Sequence, residues 1–340
     1  MLYKLVRTAM FQLEAEKAHY LGLKGLDLIQ ILGLSSLLYP KIDTTPVEVM
    51  GIDFPNAVGL AAGLDKNGDH IKALSAIGFG FIEIGTVTPR PQAGNPKPRL
   101  FRLPEALAII NRMGFNNLGV EHLIEQVEKA KVDTIIGINI GKNFDTPVDK
   151  AVDDYLIGLR NVYSSADYVT INISSPNTPG LRTLQFGESL NALLAALKEE
   201  QHTLHQQYQR YVPMAVKVAP DLNADEVRQL AEAFKQFEID AVIATNTTMS
   251  REGVKGLAFS EEMGGLSGRP VFNKSTEIVR QFREELPQNL PIIAAGGIMS
   301  SNDALEKLDA GAELVQIYSG FIYQGPKLVN DIVHAINKRV

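Results

Sequence analysis

A chain of 340 residues, 45% hydrophobic and 21% charged, is long enough for one large single-core domain and too apolar for disorder. A formal net charge of −6 argues against a nucleic-acid binder, whose phosphate contacts need a basic face. The absence of cysteine excludes disulfides, thiolate metal sites, iron–sulfur ligation and a cysteine nucleophile or acid, and sits easily with a reducing cytoplasm.

Residues 1 to about 40 read separately from the rest. Apolar side chains at Leu2, Leu5, Val6, Ala9, Met10 and Leu13 fall at helical spacing and predict an amphipathic helix. A second helical stretch over 21–38 is rich in leucine and isoleucine, is broken by Lys24, Asp27 and several glycines, and is closed by Pro40. Those breaks leave it too interrupted to span a bilayer, and no small-residue cleavage site marks a secretory signal. Either both helices pack on the main domain or a partner, or they lay an apolar face into a membrane surface. For the second role Lys4, Arg7, Lys17 and Lys24 supply modest positive charge.

From Asn56 onward eight short apolar runs, at 58–60, 81–84, 135–138, 168–173, 215–218, 241–244, 292–295 and 314–317, predict strands. Amphipathic helical stretches lie between them, including 188–209, 225–237, 274–285 and 302–309. Eight parallel βα units close into a TIM barrel in about 250 residues, which fits what remains after the amino-terminal extension. The expected architecture is therefore α/β, with a helical segment at 1–40 and a (β/α)8 barrel at 41–340. An open doubly wound sheet is the alternative. It is disfavoured because Gly78, Gly80 and Gly85 lead into a strand, whereas a dinucleotide fingerprint sits at a strand-to-helix turn.

Almost every run ends in glycine, amide, hydroxyl or lysine. In chain order these ends are Ala62-Gly63-Leu64-Asp65-Lys66, Gly85-Thr86-Val87-Thr88, Asn139 with Gly141-Lys142, Asn172-Ile173-Ser174-Ser175-Pro176-Asn177-Thr178, and Lys217. Thr245-Asn246-Thr247-Thr248, Gly296-Gly297 and Tyr318-Ser319-Gly320 complete the set. In a TIM barrel the carboxyl ends form one rim, where ligands bind and catalysis resides. Gly296-Gly297 and Ser319-Gly320 match the phosphate cradle common in this fold, or else are tight turns whose glycines only supply positive φ. Gly268 would bring a third flexible backbone close, or lie in a mobile surface loop.

Lys217 interrupts the apolar run Met214-Ala215-Val216-Lys217-Val218. If buried it needs an anionic partner, for which a reduced flavin with charge near N1 and O2 would serve; otherwise its tip reaches solvent. Lys66 reads the same way, with a substrate carboxylate or flavin as counter-ion. Asn111, Asn139, Asn172, Asn177 and Asn246 gather amides that suit a planar ligand with alternating N–H and C=O groups, such as a pyrimidine dione, although each alone is a common turn or cap residue. His202 and His205 share a helix face among glutamines and read as solvated surface, so no metal is expected.

The runs Ala61-Ala62-Gly63-Leu64-Asp65-Lys66-Asn67-Gly68, Asn111-Arg112-Met113-Gly114-Phe115-Asn116-Asn117 and Asn172-Ile173-Ser174-Ser175-Pro176-Asn177-Thr178-Pro179-Gly180-Leu181-Arg182 are long and specific. With Ala244-Thr245-Asn246-Thr247-Thr248 and Gly264-Gly265-Leu266-Ser267-Gly268, they resemble the signatures of the class 2, quinone-dependent dihydroorotate dehydrogenases of the bacterial membrane-associated kind. The likeness covers essentially the whole chain. It implies an FMN-containing TIM barrel that oxidises (S)-dihydroorotate to orotate in de novo pyrimidine (UMP) biosynthesis and passes electrons to a membrane quinone.

The resemblance also implies roles. Ser175 would remove the C5 proton while hydride leaves C6 for flavin N5, and Thr178 with water would relay that proton, since a serine hydroxyl alone is a poor base. Carried over by position, Ala62, Gly63, Leu64, Asp65, Lys66, Thr86, Asn139, Asn172, Lys217, Thr245, Gly268, Gly297, Tyr318 and Ser319 would hold FMN. Lys66, Asn111, Arg112, Met113, Gly114, Phe115, Asn172, Asn177, Asn246 and Thr247 would hold the substrate. The amino-terminal helices would cover the apolar edge of the flavin, dip into the membrane and admit the quinone tail, making this a peripheral protein on the cytoplasmic face of the inner membrane. Soluble class 1 relatives use a cysteine base, so its absence here supports class 2. Another FMN barrel, such as a tRNA dihydrouridine synthase, is the enzyme alternative, opposed by the acidic charge and missing cysteine. A barrel that merely binds a phosphorylated ligand is the non-enzyme alternative.

Overall fold

The computed structural model describes residues 2–39 and 42–339, and of Leu2 only the backbone. Pro40 and the expected 40/41 boundary lie outside the described residues. The amino-terminal segment comprises α1 (Leu2–Met10), α2 (Ala15–Ile31) and α3 (Ser35–Leu38), followed by a hairpin of β1 (Val47–Val49) and β2 (Ile52–Phe54). Strands β3 (Val58–Leu60) and β4 (Phe81–Val87) open the main sheet, and β5 (Leu100–Leu103) and β6 (Ala108–Asn111) leave it as an excursion. Strands β7 (Ile135–Ile140), β8 (Tyr168–Asn172), β9 (Met214–Val218) and β10 (Ala241–Ala244) resume it. A second excursion carries β11 (Gly265–Gly268), after which β12 (Ile292–Ala295) and β13 (Leu314–Ile317) complete the main sheet. Between and after them run α4 (Ile71–Ser75), α5 (Val120–Ala130), α6 (Ala151–Val162), α7 (Gly187–Tyr208), α8 (Ala224–Gln236), α9 (Phe272–Glu285), α10 (Ser301–Asp309), α11 (Ser319–Gln324) and α12 (Lys327–Asn337).

The eight main strands pair in parallel in the closed order β10-β12-β13-β3-β4-β7-β8-β9, with Val315 opposite Val58 at the seam. This is the TIM barrel that the alternating pattern predicts. Its strands read as unbroken apolar runs because both faces are buried: one under the helices, the other inside the barrel. Ile82, Val169, Val216 and Val242 face outward into a core shared with Leu193, Phe234 and Phe282 of the helices. Phe81, Tyr168, Ile243 and Leu314 face inward and meet Val49 and Phe54 of the hairpin, which stoppers the amino-terminal mouth. The Phe54 and Phe81 rings lie edge to face at 5.1 Å. Two glycines give these rings their space, since a Cβ on Gly59 would stand 2.2 Å from the Phe81 ring and one on Gly137 2.1 Å from that of Tyr168.

The excursions form a separate three-stranded sheet, β11-β6-β5, over the carboxyl rim. Gly268 thus sits on a strand and not in a mobile loop. Its place follows from the antiparallel pairing of Gly268 with Ala108.

The helical segment departs from expectation at its second helix. That helix begins at Ala15, where the Glu14 carboxylate caps it by accepting the N–H groups of Glu16 and Lys17, and runs unbroken through Gly22, Lys24, Gly25 and Asp27. Each glycine weakens an isolated helix by about 1 kcal/mol, a cost that tertiary packing offsets here. The break falls at Gly33, whose φ of 70° turns the chain before α3. Contacts to the barrel explain the packing. Tyr3 Oη donates to Ile322 O at 2.6 Å, Arg7 to Tyr323 O at 2.5 Å, and Asp27 lies 2.7 Å from His70 Nδ1. The strongest tie is buried: Arg99 donates Nε and Nη2 to the two Glu16 oxygens at 3.2 and 2.8 Å. The helices also carry apolar residues facing outward, with Ile31 80% and Leu37 77% exposed. Both expected roles, packing on the barrel and presenting an apolar face, are therefore compatible. Among the described residues no helix is long and apolar enough to cross a membrane.

Burial alone would raise the Glu16 carboxyl, but Arg99 and then Lys97 override it and hold the group below its ordinary range. Docking of α2 therefore gains stability from Glu16 above the unfolded carboxyl range, near pH 4, and loses it as pH falls through the lowered native value. Glu16→Gln strands a buried guanidinium, and should weaken docking by about 3–5 kcal/mol. Limited proteolysis reads this as early cleavage between α1 and α4 while the barrel stays resistant; unchanged cleavage would deny the pair that role.

Candidate active site

Glu83 is fully buried inside the barrel, where alternation along Phe81, Glu83 and Gly85 points it inward. It accepts from Asn139 Nδ2 at 2.8 Å, Gln316 Nε2 at 2.7 Å and Tyr168 Oη at 3.1 Å. Lys217 Nζ stands 3.6 Å from the same carboxylate. The buried lysine therefore has an anionic partner within the protein, which the sequence reading sought only in a ligand. Glu83 was missed although the argument used for Lys217, a charge on an apolar strand, applies to it equally.

Above this polar layer a cavity opens at the carboxyl ends of the strands. Its wall includes Ala62, Gly63, Lys66, Thr86, Asn172, Lys217, Thr245, Gly268, Gly297, Tyr318 and Ser319, together with Asn111, Met113, Gly114, Phe115, Asn177, Asn246, Thr247 and Ser175. Of the sequence-predicted residues, Leu64, Asp65, Arg112, Asn139 and Thr178 stand outside that wall. Leu64 belongs to the outer core. Asp65 accepts the N–H groups of Asp69 and His70 at 3.1 and 2.8 Å and so shapes the turn after β3. The Arg112 side chain turns away to Glu262 at 2.6 Å and covers the Phe101 ring at 4.6 Å. Asn139 supports the wall from behind: its Oδ1 accepts from Thr86 Oγ1 at 2.5 Å, and that hydroxyl accepts from Asn172 Nδ2 at 2.9 Å.

The amides meet one another as a set. Asn246 Nδ2 donates to Ser174 Oγ at 3.0 Å and Asn172 Oδ1 at 3.3 Å, and Asn177 Nδ2 to Asn111 Oδ1 at 3.3 Å. Ser175 is 6% exposed, and its Oγ accepts the Asn177 N–H at 3.2 Å. Thr178 Oγ1 is buried with no partner among the described residues. Lys66 donates to Gly63 O at 2.8 Å, and burial lowers its pKa to about 8.

A strap that the sequence reading left without a role holds the serine loop. Arg182 donates to Ser174 O at 3.0 Å, to Thr247 O at 2.9 Å and to Asp221 at 3.0 Å. Although burial raises the Asp221 carboxyl, Lys274, Thr248, the Met249 amide and Arg182 bring it down to about 2. Arg182 lies in the quoted 172–182 run, so the signal was present, whereas nothing local marks Asp221 as its partner.

Across the cavity, the N–H groups of Gly296 and Gly297 have no acceptor among the described residues, and Ser319 Oγ lies 2.9 Å from Ser267 Oγ of β11. Gln316 Oε1 is buried in the wall with no partner among the described residues. Unpaired backbone donors at one end, an unpaired acceptor and an ammonium in the floor, and amides at the other end fit a flavin lying beside a small polar substrate. Fold and site together define a class: a (β/α)8-barrel enzyme whose polar cavity at the carboxyl rim suits a planar cofactor beside a small polar substrate.

Comparison with known proteins gives the class its family. Residues 45–340 match the family model described as dihydroorotate dehydrogenase. A dihydroorotate dehydrogenase (quinone) of Aliivibrio fischeri strain MJ11 is 60% identical over 336 residues, covering 99% of this chain and 100% of the relative. Its counterpart in Pseudomonas aeruginosa strain LESB58 is 59% identical over 335 residues, 98% of each chain. The crystal structure of an Eimeria tenella dihydroorotate dehydrogenase in complex with ferulenol superposes with a TM-score of 0.85 at 36% identity, over 93% of this chain and 90% of that one. The chain belongs to the dihydroorotate dehydrogenase family, a family of flavin-dependent oxidoreductases. The dihydrouridine synthase alternative is not favoured.

Removing the Lys217 charge leaves Glu83 buried and uncompensated. Lys217→Met should lower unfolding free energy by about 3–5 kcal/mol, and adding Glu83→Gln should restore most of it. Urea unfolding of the two single variants and the double variant measures the coupling; additive losses would mean that the pair does not act as one unit.

Proposed function

We propose that this protein is a quinone-dependent dihydroorotate dehydrogenase that uses FMN, with Ser175 as the base. It oxidises dihydroorotate to orotate for pyrimidine biosynthesis and hands the electrons to a quinone. The observation that carries the site assignment is that one cavity holds unpaired backbone donors at Gly296-Gly297 at one end and the Ser175 hydroxyl among paired amides at the other.

In this reading Gly268, Gly297, Tyr318 and Ser319 hold the phosphate end of FMN. Thr86, Asn172, Lys217 and Thr245 hold its ring, with Asn139 orienting Thr86, and 62–66 close the side. When bound, the flavin supplies the two-electron acceptor that the oxidation requires. Asn111, Asn177, Asn246 and Thr247 match donors and acceptors around the dihydroorotate ring, while the backbone of 112–115 and the side chain of Lys66 close on its carboxylate. Arg182, tied to Asp221, fixes the loop that presents Ser175. That hydroxyl takes the substrate proton only if its own can leave, and Thr178 Oγ1, three residues further along the loop and buried with no partner among the described residues, is the relay that supports such a path.

A second cavity of about 730 Å3 lies between α1, α2 and the barrel and is mostly apolar, with Leu21, Leu26, Ile29 and Phe321 in its wall. Tyr318 borders both cavities. Its volume is that of a small-molecule site, which supports it as the quinone entrance. The outward apolar residues of α1 to α3 support docking on a membrane surface, in this reading the cytoplasmic face of the inner membrane.

Anaerobic absorbance tests the whole reading. Flavin colour should bleach on addition of dihydroorotate and return with a soluble quinone but not with fumarate or NAD; bound flavin that dihydroorotate leaves coloured would refute the substrate. Ser175→Ala should keep bound FMN and lose most of the bleaching rate, and a normal rate in rapid mixing would remove Ser175 from its role. Lys66 carries its charge below about pH 8, so KM for dihydroorotate should rise as pH climbs through that value, whereas Lys66→Met should start high and stay flat.

A further inference from the structure

Behind the glycine cradle lies a charge that none of the roles above employs. Lys307 on α10 has 0% exposure, and its contacts are uncharged: Ser275 Oγ at 2.5 Å, Phe272 O at 3.2 Å and the Phe272 ring at 4.8 Å. An ammonium without a neighbouring anion is costly to bury, and burial pulls its pKa down to about 7.

The contacts of Ser275 show where that charge points. Accepting from Lys307, the hydroxyl donates to Gly296 O at 3.0 Å or Phe272 O at 3.1 Å. The Gly296–Gly297 peptide is trans, so its C=O and N–H point in opposite directions. With the carbonyl on Ser275, the Gly297 N–H is aimed away from α9 and α10, on the side of the cavity that both glycines line. The packing allows little freedom, because a Cβ at Gly297 would lie 2.4 Å from Phe272 Cα. Hydrogen bonds in series polarise one another, each strengthening the next.

We propose that Lys307 is a positioning residue for the cofactor phosphate: its ammonium acts through Ser275 Oγ and the Gly296–Gly297 peptide on an anion that it never touches. The phosphate in turn supplies the negative charge that Lys307 lacks. This rests on the reading of Gly296-Gly297 as the phosphate cradle. Other charges near Lys307 are Glu306 and Asp303 on its own helix, which raise its pKa, and Arg280 on α9, which lowers it. On α12, packed against α10, Lys327 and His334 are exposed and Asp331 pairs with Lys327; just beyond its end Lys338 is exposed and Arg339 pairs with the exposed Asp309 of α10. Strands β12 and β13 bring no titratable side chain.

The test is binding of FMN and of riboflavin, which has the same ring and ribityl chain without the phosphate, to cofactor-stripped full-length protein by flavin fluorescence. Lys307→Met should weaken FMN by roughly five- to tenfold at pH 7 and leave riboflavin unchanged. Ser275→Ala, which keeps the lysine but cuts the relay, should do the same. The parent protein should lose FMN affinity relative to Lys307→Met as pH rises above about 7, because the empty protein sheds a proton there that binding must restore. The second ionisation of the phosphate, near pH 6, is common to both and cancels. An unchanged FMN-to-riboflavin ratio in Lys307→Met, or equal losses of both ligands, would overturn the inference and leave Lys307 a packing residue between α9 and α10. A parent protein that binds FMN and riboflavin alike would instead defeat the phosphate-cradle reading, and the inference with it.

Discussion

The inside of this barrel is organised around a carboxylate that water does not reach. Glu83 accepts hydrogen bonds from three strands besides facing Lys217, and every group that reaches it is thereby held in one orientation. Asn139 spends one end of its amide on Glu83 and presents the other to Thr86, which passes the constraint on to Asn172. The wall of the cavity is thus the upper edge of a network rooted in the middle of the barrel. A buried polar network of this kind is rigid when complete and unstable when one member is missing. Rigidity is what a site needs if a planar cofactor and a planar substrate are to lie at fixed positions.

The layers beneath and above have different chemistry for the same reason. Below, aromatic rings fill the barrel against the hairpin, so no water approaches Glu83 from the amino-terminal mouth. Above, the excursion strands cover the rim, and two polar straps tie its loops together: Arg182 with Asp221 on the serine loop, and Asn95, which donates to the carbonyls of Arg112 and Asn177. Arg99 joins this upper layer to the amino-terminal helices, because it holds Glu16 with one side of its guanidinium and the carbonyls of Ala93 and Asn95 with the other. The helical segment is therefore wired to the same loops that shape the cavity.

Much of this was legible in the sequence because a parallel barrel writes itself plainly. A strand buried on both faces is an apolar run, and the place where the run stops is the rim, so the residue types at 62–66, 172–178 and 245–248 announced both the fold and the site. Local context could not disclose partners. Glu83 lay hidden in the run 81–84, Asp221 in an ordinary loop, and Lys307 in a helix whose other charges are solvated. The hairpin and the excursion strand β5 were missed because each is buried on one face only, so it shows no unbroken apolar run and is too short to show an alternation. The second helix was cut short in the reading because Gly22 and Gly25 look like breaks, and only its contacts with the barrel show why they are tolerated. The named family resemblance reached further than pattern, to roles for Ser175 and Thr178 that geometry alone does not assign.

Tyr318 borders two compartments that differ in size and in the chemistry of their walls. One is lined with amides, hydroxyls and lysine, the other mainly with hydrocarbon, and a single aromatic ring belongs to both walls. Such a partition lets two guests with opposite solubilities be served from opposite sides, each arriving from the medium that dissolves it, without sharing a doorway or waiting for the other to depart. Occupants of the two chambers need not compete for space.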